Sequence, residues 1–298
     1  MNATLGLGTY RVRSISEAAK AAVASGADWI DTAPNYHHGQ AERQLKPVLD
    51  AYPLVPVSTK VGFFTPDQAR KALAEGVLTK EEAEAGHCLN PRAVTWQAQQ
   101  SLAALGRAPA ITFVHNPERQ LHSRRDLEVR LYEAFVALEK CVDRGLTRGY
   151  GVATWNALHE NFISVDRIAH IAKQAGRGTS HLTAIQLPLS IVHIRPLVDA
   201  GQGYGFLTTA QSMDIDIFAS APLHGGDLLQ MIPESVAEEV APGASPLRVA
   251  LGFVASTEGV KRLLLSASSA AHWADAAKAV EEPLSDKHMK EIASAFAP

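Results

Sequence analysis

Residues 29–36 read WIDTAPNY, and this stretch shows the pattern on which the prediction of the fold rests. An apolar run over residues 27–32 contains the acid Asp31 near its end, and the turn after it carries the phenol of Tyr36. Short apolar runs followed by polar side chains recur along the chain. We predict strands from them over residues 4–8, 27–32, 56–61, 111–115, 147–153, 183–188, 215–220 and 262–266.

Longer amphipathic segments separate these runs and predict helices over residues 14–25, 92–105, 127–144, 164–176, 246–256 and 270–280. Asn90 before Pro91 is a helix-start signal for the second of them. Strands that alternate with helices indicate either a closed parallel barrel or a doubly wound sheet. No linker interrupts the alternation, and polar residues at many strand ends are what a barrel uses to build its site.

The segment after the first predicted strand decides between these two folds. A doubly wound fold that binds a dinucleotide would carry G-x-G-x-x-G there, with an acidic residue further along the chain. This chain has GLGTYRVRS at residues 6–14, which lacks the third glycine. We therefore predict an α/β protein with a (β/α)8 TIM barrel, in which residues 1–298 form a single domain.

The composition is that of a globular protein. Of the 298 residues, 46% are hydrophobic and 20% are charged, and 28 basic against 31 acidic residues give a formal net charge of −3. Because the chain has no basic run, neither nucleic acid nor a membrane is expected as a partner. The N-terminus lacks the features of a signal peptide, and the two cysteines, Cys88 and Cys141, form no C-x-x-C pattern. We expect a cytoplasmic protein with reduced thiols.

Three neighbouring strand ends carry side chains that are suited to proton transfer. Asp31 and Tyr36 follow the second strand, Lys60 ends the third, and His115 ends the fourth. A carbonyl that receives a hydride becomes an alkoxide and needs a proton, which a tyrosine can supply. We expect Lys60 to lower the pKa of Tyr36 and Asp31 to hold Lys60 through an ion pair. His115 would orient the carbonyl by a hydrogen bond.

These side chains lie in segments that resemble the motifs of one enzyme family. Asp31-Thr32-Ala33-Pro34-Asn35-Tyr36, followed by Gly39 and Glu42, resembles the aldo-keto reductase motif DTAxxYG…E. Ser58-Thr59-Lys60 and Val114-His115 resemble the strands of that family that end in T-K and in histidine. The resemblance implies NADP(H), ahead of NAD(H), as the hydride donor, Tyr36 as the proton donor, and a catalytic tetrad of Asp31, Tyr36, Lys60 and His115.

The resemblance extends to segments that bind the cofactor in that family. Gly151-Val152-Ala153-Thr154 resembles the family's GVSN, whose serine and asparagine contact the nicotinamide carboxamide, so only Thr154 keeps a polar contact here. Gln186 matches the family's carboxamide-binding glutamine, whereas Ser220 replaces the aromatic residue that usually stacks on the nicotinamide. The predicted cofactor contacts are Gly8, Thr9, Tyr10, Thr154, Gln186, Ser220, Pro222, Leu223, Ser266, Ser268 and His272.

The segment after the eighth strand departs most from the family pattern. Ser268 stands where a basic residue is common, His272 where arginine is common, and Ala276 where asparagine is common. Because an arginine contact with the 2′-phosphate is stronger than that of a neutral hydroxyl, we expect a reduced affinity for this phosphate. Residues 266–269 suit a phosphate near a helix N-terminus, and a plain strand-to-helix turn is the alternative.

Residues 63–89 form a long segment between the third strand and the next helix. Its acidic pattern indicates either a solvated surface helix or a loop that shapes the substrate pocket, and the sequence leaves both open. Trp155, near a strand end, is a candidate for lining that pocket. The adjacent His37 and His38 are poorly spaced for a shared ion, so no metal site is predicted.

Two functions from different classes follow from these observations. The first is a reductase or dehydrogenase that interconverts a small aldehyde, ketone or sugar-like compound and its alcohol, and the intact tetrad favours it. The second is a cofactor-binding regulatory barrel with little turnover, which the altered segment after the eighth strand favours. A lyase or isomerase that uses the same tetrad without redox chemistry is a further alternative.

Overall fold

Eight parallel strands form a closed barrel, and their order around the barrel is their order along the chain. The structure, a computed structural model, describes residues 3–119, 121, 123–240 and 242–296. The strands are β1 (Thr4–Gly8), β2 (Ile30–Asp31), β3 (Val57–Val61), β4 (Ile111–His115), β5 (Tyr150–Ala153), β6 (Leu182–Pro188), β7 (Asp216–Ser220) and β8 (Val260–Leu265). The predicted (β/α)8 TIM-barrel class is therefore confirmed.

Helices separate the strands, as the amphipathic segments predict. They are α1 (Ile15–Ala24), α2 (Ala41–Ala51), α3 (Pro66–Ala74), α4 (Lys80–Ala85), α5 (Pro91–Leu105), α6 (Arg124–Asp143), α7 (Val165–Ala175), α8 (Arg195–Gly201), α9 (Phe206–Ser212), α10 (Asp227–Met231), α11 (Glu234–Val240), α12 (Pro246–Ser256), α13 (Ala270–Glu281) and α14 (Asp286–Phe296). Within the described residues, none of these helices combines the length and the apolar character needed to cross a bilayer.

Among the predicted strands, the second differs most from the structure, and the fifth begins at Tyr150 where residue 147 was predicted. β2 has only two residues, although the apolar run predicted a strand over residues 27–32. The residues before it bond to β1 through the main chain, since Asp28 N donates to Leu5 O at 3.1 Å and Leu7 N donates to Trp29 O at 2.8 Å. The main chain there is extended and bonded, but only Ile30 and Asp31 continue into the regular ladder with β3.

Contacts between residues divide the chain into two units. One unit contains Met1–Gly8, Val12–Trp29 and Leu187–Pro298, and the other contains Thr9–Arg11 and Ile30–Gln186. In the first unit, β8 pairs with β1 and with β7. In the second unit, β2 to β5 and the start of β6 pair side by side.

The register of the second unit brings the carboxyl ends of its strands to the same edge. Asp31 pairs with Ser58, His115 pairs with Ala153, and Ala153 pairs with Gln186. Neighbouring strands in a sheet lie about 4.8 Å apart. Polar side chains at these strand ends are therefore close enough to form one site.

The wall formed by β4, β5 and β6 is tightly packed around Gly151. A Cβ atom at this position would collide with the main-chain oxygen of Ala184 and with the ring of Phe113. Phe113 and Ala184 are both fully buried. A side chain on Gly151 would therefore force the three strands apart, and only glycine allows this spacing.

Capping residues fix the helix starts in and after the segment of residues 63–89. Thr65 and Thr79 each form a capping box, at the start of α3 and of α4. Asn90 Oδ1 accepts from Ala93 N at 2.8 Å, so the predicted start of α5 is confirmed. Each cap satisfies a main-chain N–H group that would otherwise have no partner at the helix end.

Candidate active site

Asp31 and Lys60 form a buried ion pair at the carboxyl ends of β2 and β3. Lys60 Nζ lies 2.6 Å from Asp31 Oδ2, and the two residues are only 1% and 4% exposed. Lys60 Nζ also donates to Thr32 O at 2.9 Å, and Ser58 Oγ donates to Asp31 Oδ1 at 2.7 Å. Burial alone would lower the pKa of Lys60, but the carboxylate of Asp31 more than offsets burial, so the pKa lies above the ordinary lysine value. Lys60 is therefore a fixed cation.

The half-buried ring of Tyr36 lies against this cation. Lys60 Nζ is 5.0 Å from the ring centroid of Tyr36, and the rings of Tyr10 and His115 are 5.1 and 6.2 Å away. Burial raises the pKa of Tyr36, whereas Lys60 acts in the opposite direction, as the sequence predicts. The net pKa is nevertheless raised, because burial outweighs the nearby cation. Tyr36 is therefore a protonated phenol near neutral pH.

His115 ends β4 as a neutral imidazole. Burial, together with Lys60 and His87, holds the pKa of His115 well below its usual 6.5. Its Nδ1 atom is buried and has no hydrogen-bond partner among the residues that the structure describes. Its ring lies 4.7 Å from that of Phe63. A neutral imidazole has one N–H donor and one acceptor nitrogen, so this ring can bind an uncharged oxygen group.

His87, which the sequence did not single out, supports the main chain of His115. His87 Nε2 lies 2.8 Å from His115 O. Burial lowers the pKa of His87 to about 4, although the hydrogen bond to His115 opposes this change. His87 is therefore neutral, and its Nε2–H donates to His115 O. The same ring lies 4.6 Å from Phe63, so both ends of the 63–89 segment contact the end of β4.

The middle of the 63–89 segment forms surface helices, which is the first of the two interpretations that the sequence leaves open. Phe64, Ala69, Ala72, Leu78 and Cys88 form a hydrophobic cluster with residues of α5. Helices α3 and α4 carry their charged side chains on the outside, as in the ion pairs Lys80–Glu84 and Arg70–Asp67. The body of the segment therefore packs on the surface, while its two ends contact His115; a role in shaping the substrate pocket stays a prediction.

Two buried polar residues brace the strand ends from behind. Thr59 Oγ1 donates to Glu42 Oε1 at 2.5 Å, and burial raises the pKa of Glu42. Gln97, on the inner face of α5, accepts from Gly62 N at 2.6 Å and donates to Phe63 O at 2.8 Å. A glutamine on the buried face of an amphipathic helix is the signal that could have revealed this second brace.

Thr154 follows β5, and its hydroxyl is already bonded within the protein. Thr154 Oγ1 donates to Glu118 Oε1 at 2.9 Å and accepts from Ala157 N at 3.0 Å. Its main-chain nitrogen donates to Gln186 O at 2.9 Å. The sequence predicts Thr154 as a polar contact for the cofactor, whereas in the structure its hydroxyl donates its hydrogen bond to Glu118. Glu118 was not predicted as a site residue, although it lies three positions after His115.

Three of the predicted cofactor contacts, Gly8, Thr9 and Tyr10, lie at the end of β1 or just after it. Gly8 and Thr9 bond within the protein, whereas Tyr10 is exposed. Thr9 is 1% exposed, and its hydroxyl donates to Thr32 Oγ1 at 2.9 Å, so it stabilises the end of β2. Tyr10 is 53% exposed and contacts Tyr36, so its outer face is accessible to a ligand. Gly8 O accepts from Ser266 Oγ at 2.7 Å.

The predicted phosphate-binding residues after β8 lie at a helix start. Ser269 caps α13 by accepting from His272 N at 3.2 Å, and the side chains of Ser266, Ser268 and His272 are exposed. Ser268 Oγ accepts from Arg13 N at 3.4 Å. At the end of β7, Ser220 is half-buried and its carbonyl accepts from Leu189 N at 3.2 Å, while Pro222 and Leu223 are buried. Hydroxyls and main-chain N–H groups, rather than basic side chains, are thus what this segment offers.

Metal ligands do not converge in the described part of the chain, where no group of three or more His, Cys, Asp and Glu side chains has the geometry to hold an ion. The rings of His37 and His38 are exposed and lie 6.3 Å apart.

Comparison with known proteins identifies the family. The sequence profile of the Aldo/keto reductase family matches residues 4–297. A search of curated proteins gives no significant match. Among solved structures, the chain is similar to an aldo-keto reductase from Bacillus halodurans in its holo form, with a TM-score of 0.73, 19% identity, and coverage of 98% of this chain and 91% of that one.

Two further similar structures are aldo-keto reductases from Klebsiella pneumoniae. One is in complex with NADPH, with a TM-score of 0.69, 20% identity, and coverage of 100% of this chain and 96% of that one. The other is in complex with NADP and acetate, with a TM-score of 0.68, 20% identity, and coverage of 99% and 92%. Likeness at these identities establishes the fold, and the profile match establishes the family. The chain therefore belongs to the aldo/keto reductase family and is an enzyme of the oxidoreductase class.

Proposed function

We propose that this enzyme uses NADP(H) to interconvert a small aldehyde, ketone or sugar-like carbonyl compound and its alcohol, with Tyr36 as the proton donor. The observation that carries the proposal is the buried Asp31–Lys60 ion pair against the ring of Tyr36, with the neutral His115 beside it. We further propose that residues 1–298 act as a single domain and that the protein is cytoplasmic.

Gln186 and the segment after β8 each offer groups that suit a part of a nicotinamide cofactor, and the segment after β8 is the less typical of the family. Gln186 Nε2 is buried without a hydrogen-bond partner among the described residues, which supports its predicted contact with the carboxamide. The exposed serines and the start of α13 are suited to a phosphate. The NADPH and NADP of the two Klebsiella structures support NADP(H) ahead of NAD(H).

In this mechanism the protein contributes orientation and a proton, while the bound cofactor supplies the hydride. A neutral His115 donates a hydrogen bond to the carbonyl oxygen and orients it. As negative charge develops on that oxygen, the hydroxyl of Tyr36 gives up its proton to it. Lys60 stabilises the phenolate that remains, and Asp31 keeps Lys60 charged despite its burial. Alcohol oxidation uses the same groups in reverse.

The function is tested by the absorbance of NADPH at 340 nm with a panel of carbonyl compounds. We expect turnover by the wild-type enzyme and a loss of at least about a hundredfold in Tyr36→Phe, because general acid catalysis contributes factors of this size. Tyr204→Phe is the matched control, since Tyr204 is exposed and its hydroxyl donates to Gln202 Oε1 at 3.1 Å. Activity that survives in Tyr36→Phe would remove Tyr36 as the proton donor.

The regulatory barrel is the second candidate, and the replacement of the family's usual basic residue by Ser268 and of its usual asparagine by Ala276 favours it. Titration of the intrinsic tryptophan fluorescence with NADPH and NADH separates the two functions. A regulatory barrel would bind a dinucleotide tightly without turning over any member of the carbonyl panel. Product formation in the absence of any nicotinamide would instead indicate the lyase or isomerase alternative.

A further inference from the structure

The loop after β4 places a carboxylate at the end of β5. Glu118 Oε1 accepts from Thr154 Oγ1 at 2.9 Å and from Trp155 N at 2.7 Å. Thr154 is 4% exposed, and its hydroxyl oxygen also accepts from Ala157 N. Glu118 is therefore held in one position by two hydrogen bonds to one of its oxygens, while the hydroxyl proton of Thr154 is already used.

The other oxygen of this carboxylate is one of two polar atoms near Thr154 that are buried without a partner among the described residues. Glu118 Oε2 and Gln186 Nε2 are both buried, and neither has a hydrogen bond within the part of the chain that the structure describes. The two residues flank Thr154, which bonds to Glu118 through its hydroxyl and to Gln186 through its main chain. Leaving such atoms unpaired is costly, so they indicate a ligand.

The chemistry of the two atoms indicates what kind of group would satisfy them. A carboxylate oxygen can only accept, and the nitrogen of a glutamine amide can only donate. A primary amide has the complementary groups on adjacent atoms, namely an N–H donor and a carbonyl acceptor. A carboxylate has no donor, whereas a hydroxyl group has both on a single oxygen, so the position of the two atoms must decide between an amide and a hydroxyl.

The position of this pair matches a nicotinamide that reacts beside His115. In the pyridine ring, the carbon that carries the carboxamide is adjacent to the carbon that exchanges the hydride. Groups that hold the carboxamide must therefore lie close to the groups that hold the substrate carbonyl. Ala153 pairs with both His115 and Gln186, so the ends of β5 and β6 are the next strand ends beside His115.

We propose that Glu118 Oε2 accepts an N–H of the nicotinamide carboxamide, while Gln186 Nε2 donates to its carbonyl oxygen. Thr154 then supports Glu118 and does not itself contact the amide. This inference rests on the proposed use of a nicotinamide cofactor. It adds Glu118 as a residue that selects the amide group.

The test compares the binding of NADP⁺ with that of its 3-acetylpyridine analogue by isothermal titration calorimetry. The analogue keeps the carbonyl oxygen but replaces the amide nitrogen with a methyl group. We expect the wild-type protein to bind NADP⁺ at least about tenfold more tightly, because hydrogen bonds to charged groups contribute free energies of this size. In Glu118→Gln, whose side chain keeps the shape and can still accept from Thr154 and Trp155, we expect the two affinities to become nearly equal.

Two control variants isolate the effect. Gln186→Ala should weaken the binding of both compounds to the same extent, because both have the carbonyl oxygen, and their ratio should stay at the wild-type value. Glu160→Gln should change neither affinity, since Glu160 is an exposed carboxylate that bonds to Asn156 at 2.5 Å. Circular dichroism checks that each variant is folded.

The inference is wrong if the wild-type protein binds both compounds equally, a measurement that requires no variant. It is also wrong if Glu118→Gln keeps the full preference for NADP⁺. A wild-type protein that binds neither NADP⁺ nor NAD⁺ would overturn the proposed function itself, and the inference with it. Binding with an unchanged preference overturns only the role of Glu118.

Discussion

Two lysine–aspartate pairs of nearly equal length lie in very different surroundings. Lys60 and Asp31 are 2.6 Å apart with side chains 2% and 6% exposed, whereas Lys46 and Asp50 are 2.7 Å apart with side chains 47% and 60% exposed. Water screens the exposed pair, so its contribution to stability is small. In the buried pair each charge depends on the other, because neither is solvated. The pair that the sequence marks as catalytic is therefore also structural.

Asp31→Asn should expose this dependence. Without the carboxylate, burial would lower the pKa of Lys60, so the site would lose its cation, and we expect the rate of carbonyl reduction to fall sharply. The free energy of unfolding should fall by about 3 kcal/mol, because Lys60 must then either stay buried as an unpaired cation or give up its proton. Urea unfolding at pH 7 measures this change. Asp50→Asn is the matched control, with an expected change within about 0.5 kcal/mol; equal losses in both variants would contradict the argument.

At the scale of elements, the sequence predicted the features that a local signal marks, such as helix starts and strand bounds. It did not predict contacts between residues that are distant in the chain. The Asn90–Pro91 pair marked the start of α5, and the apolar runs of β1 and β4 gave the bounds that the structure has. Asp31, Lys60 and His115 could be singled out because each lies at the carboxyl end of its strand or next to it. Glu118 could not, since its partner Thr154 is 36 positions away and no local pattern records the contact.

The start of α13 is the element whose role in cofactor selection can be tested most directly. Ser268 is exposed and precedes the cap of this helix, so an arginine there would have room to reach a phosphate group. We expect Ser268→Arg to tighten NADPH binding about tenfold, because a charge-assisted hydrogen bond is roughly twice as strong as a neutral one. Fluorescence titration with NADH is the internal control, as NADH lacks the 2′-phosphate. A similar gain for NADH would show that the effect is not specific to that phosphate.

At the scale of the whole molecule, buried histidines make the fold sensitive to acid. The pKa of His87 is about 4 in the folded chain, below the value of about 6.5 that an exposed histidine has. Between these two values the unfolded chain binds a proton that the folded chain does not. Stability is therefore lost as the pH falls from 6.5 towards 4. His115, whose pKa is also lowered, acts in the same direction.

Replacement of His87 should weaken this dependence on pH. We expect His87→Gln to remove about 2 kcal/mol of the stability that the wild-type protein loses between pH 7 and pH 5, as the difference between the two pKa values requires. Urea unfolding at the two pH values measures it, with His170→Gln, an exposed histidine, as the matched control. A wild-type loss that persists unchanged in His87→Gln would show that His87 is not the group that titrates.

The ends of the 63–89 segment are tied to each other as well as to the barrel. Cys88 N donates to Gly62 O at 2.9 Å, and Phe64 N donates to Gly86 O at 3.0 Å. The helices between these bonds form a lobe with its own caps and its own apolar cluster with α5. Insertions, deletions or grafts in the helices of that lobe should leave the two main-chain hydrogen bonds between its ends in place. We expect the outer part of the lobe to tolerate changes of sequence and length without moving the four residues proposed for proton transfer.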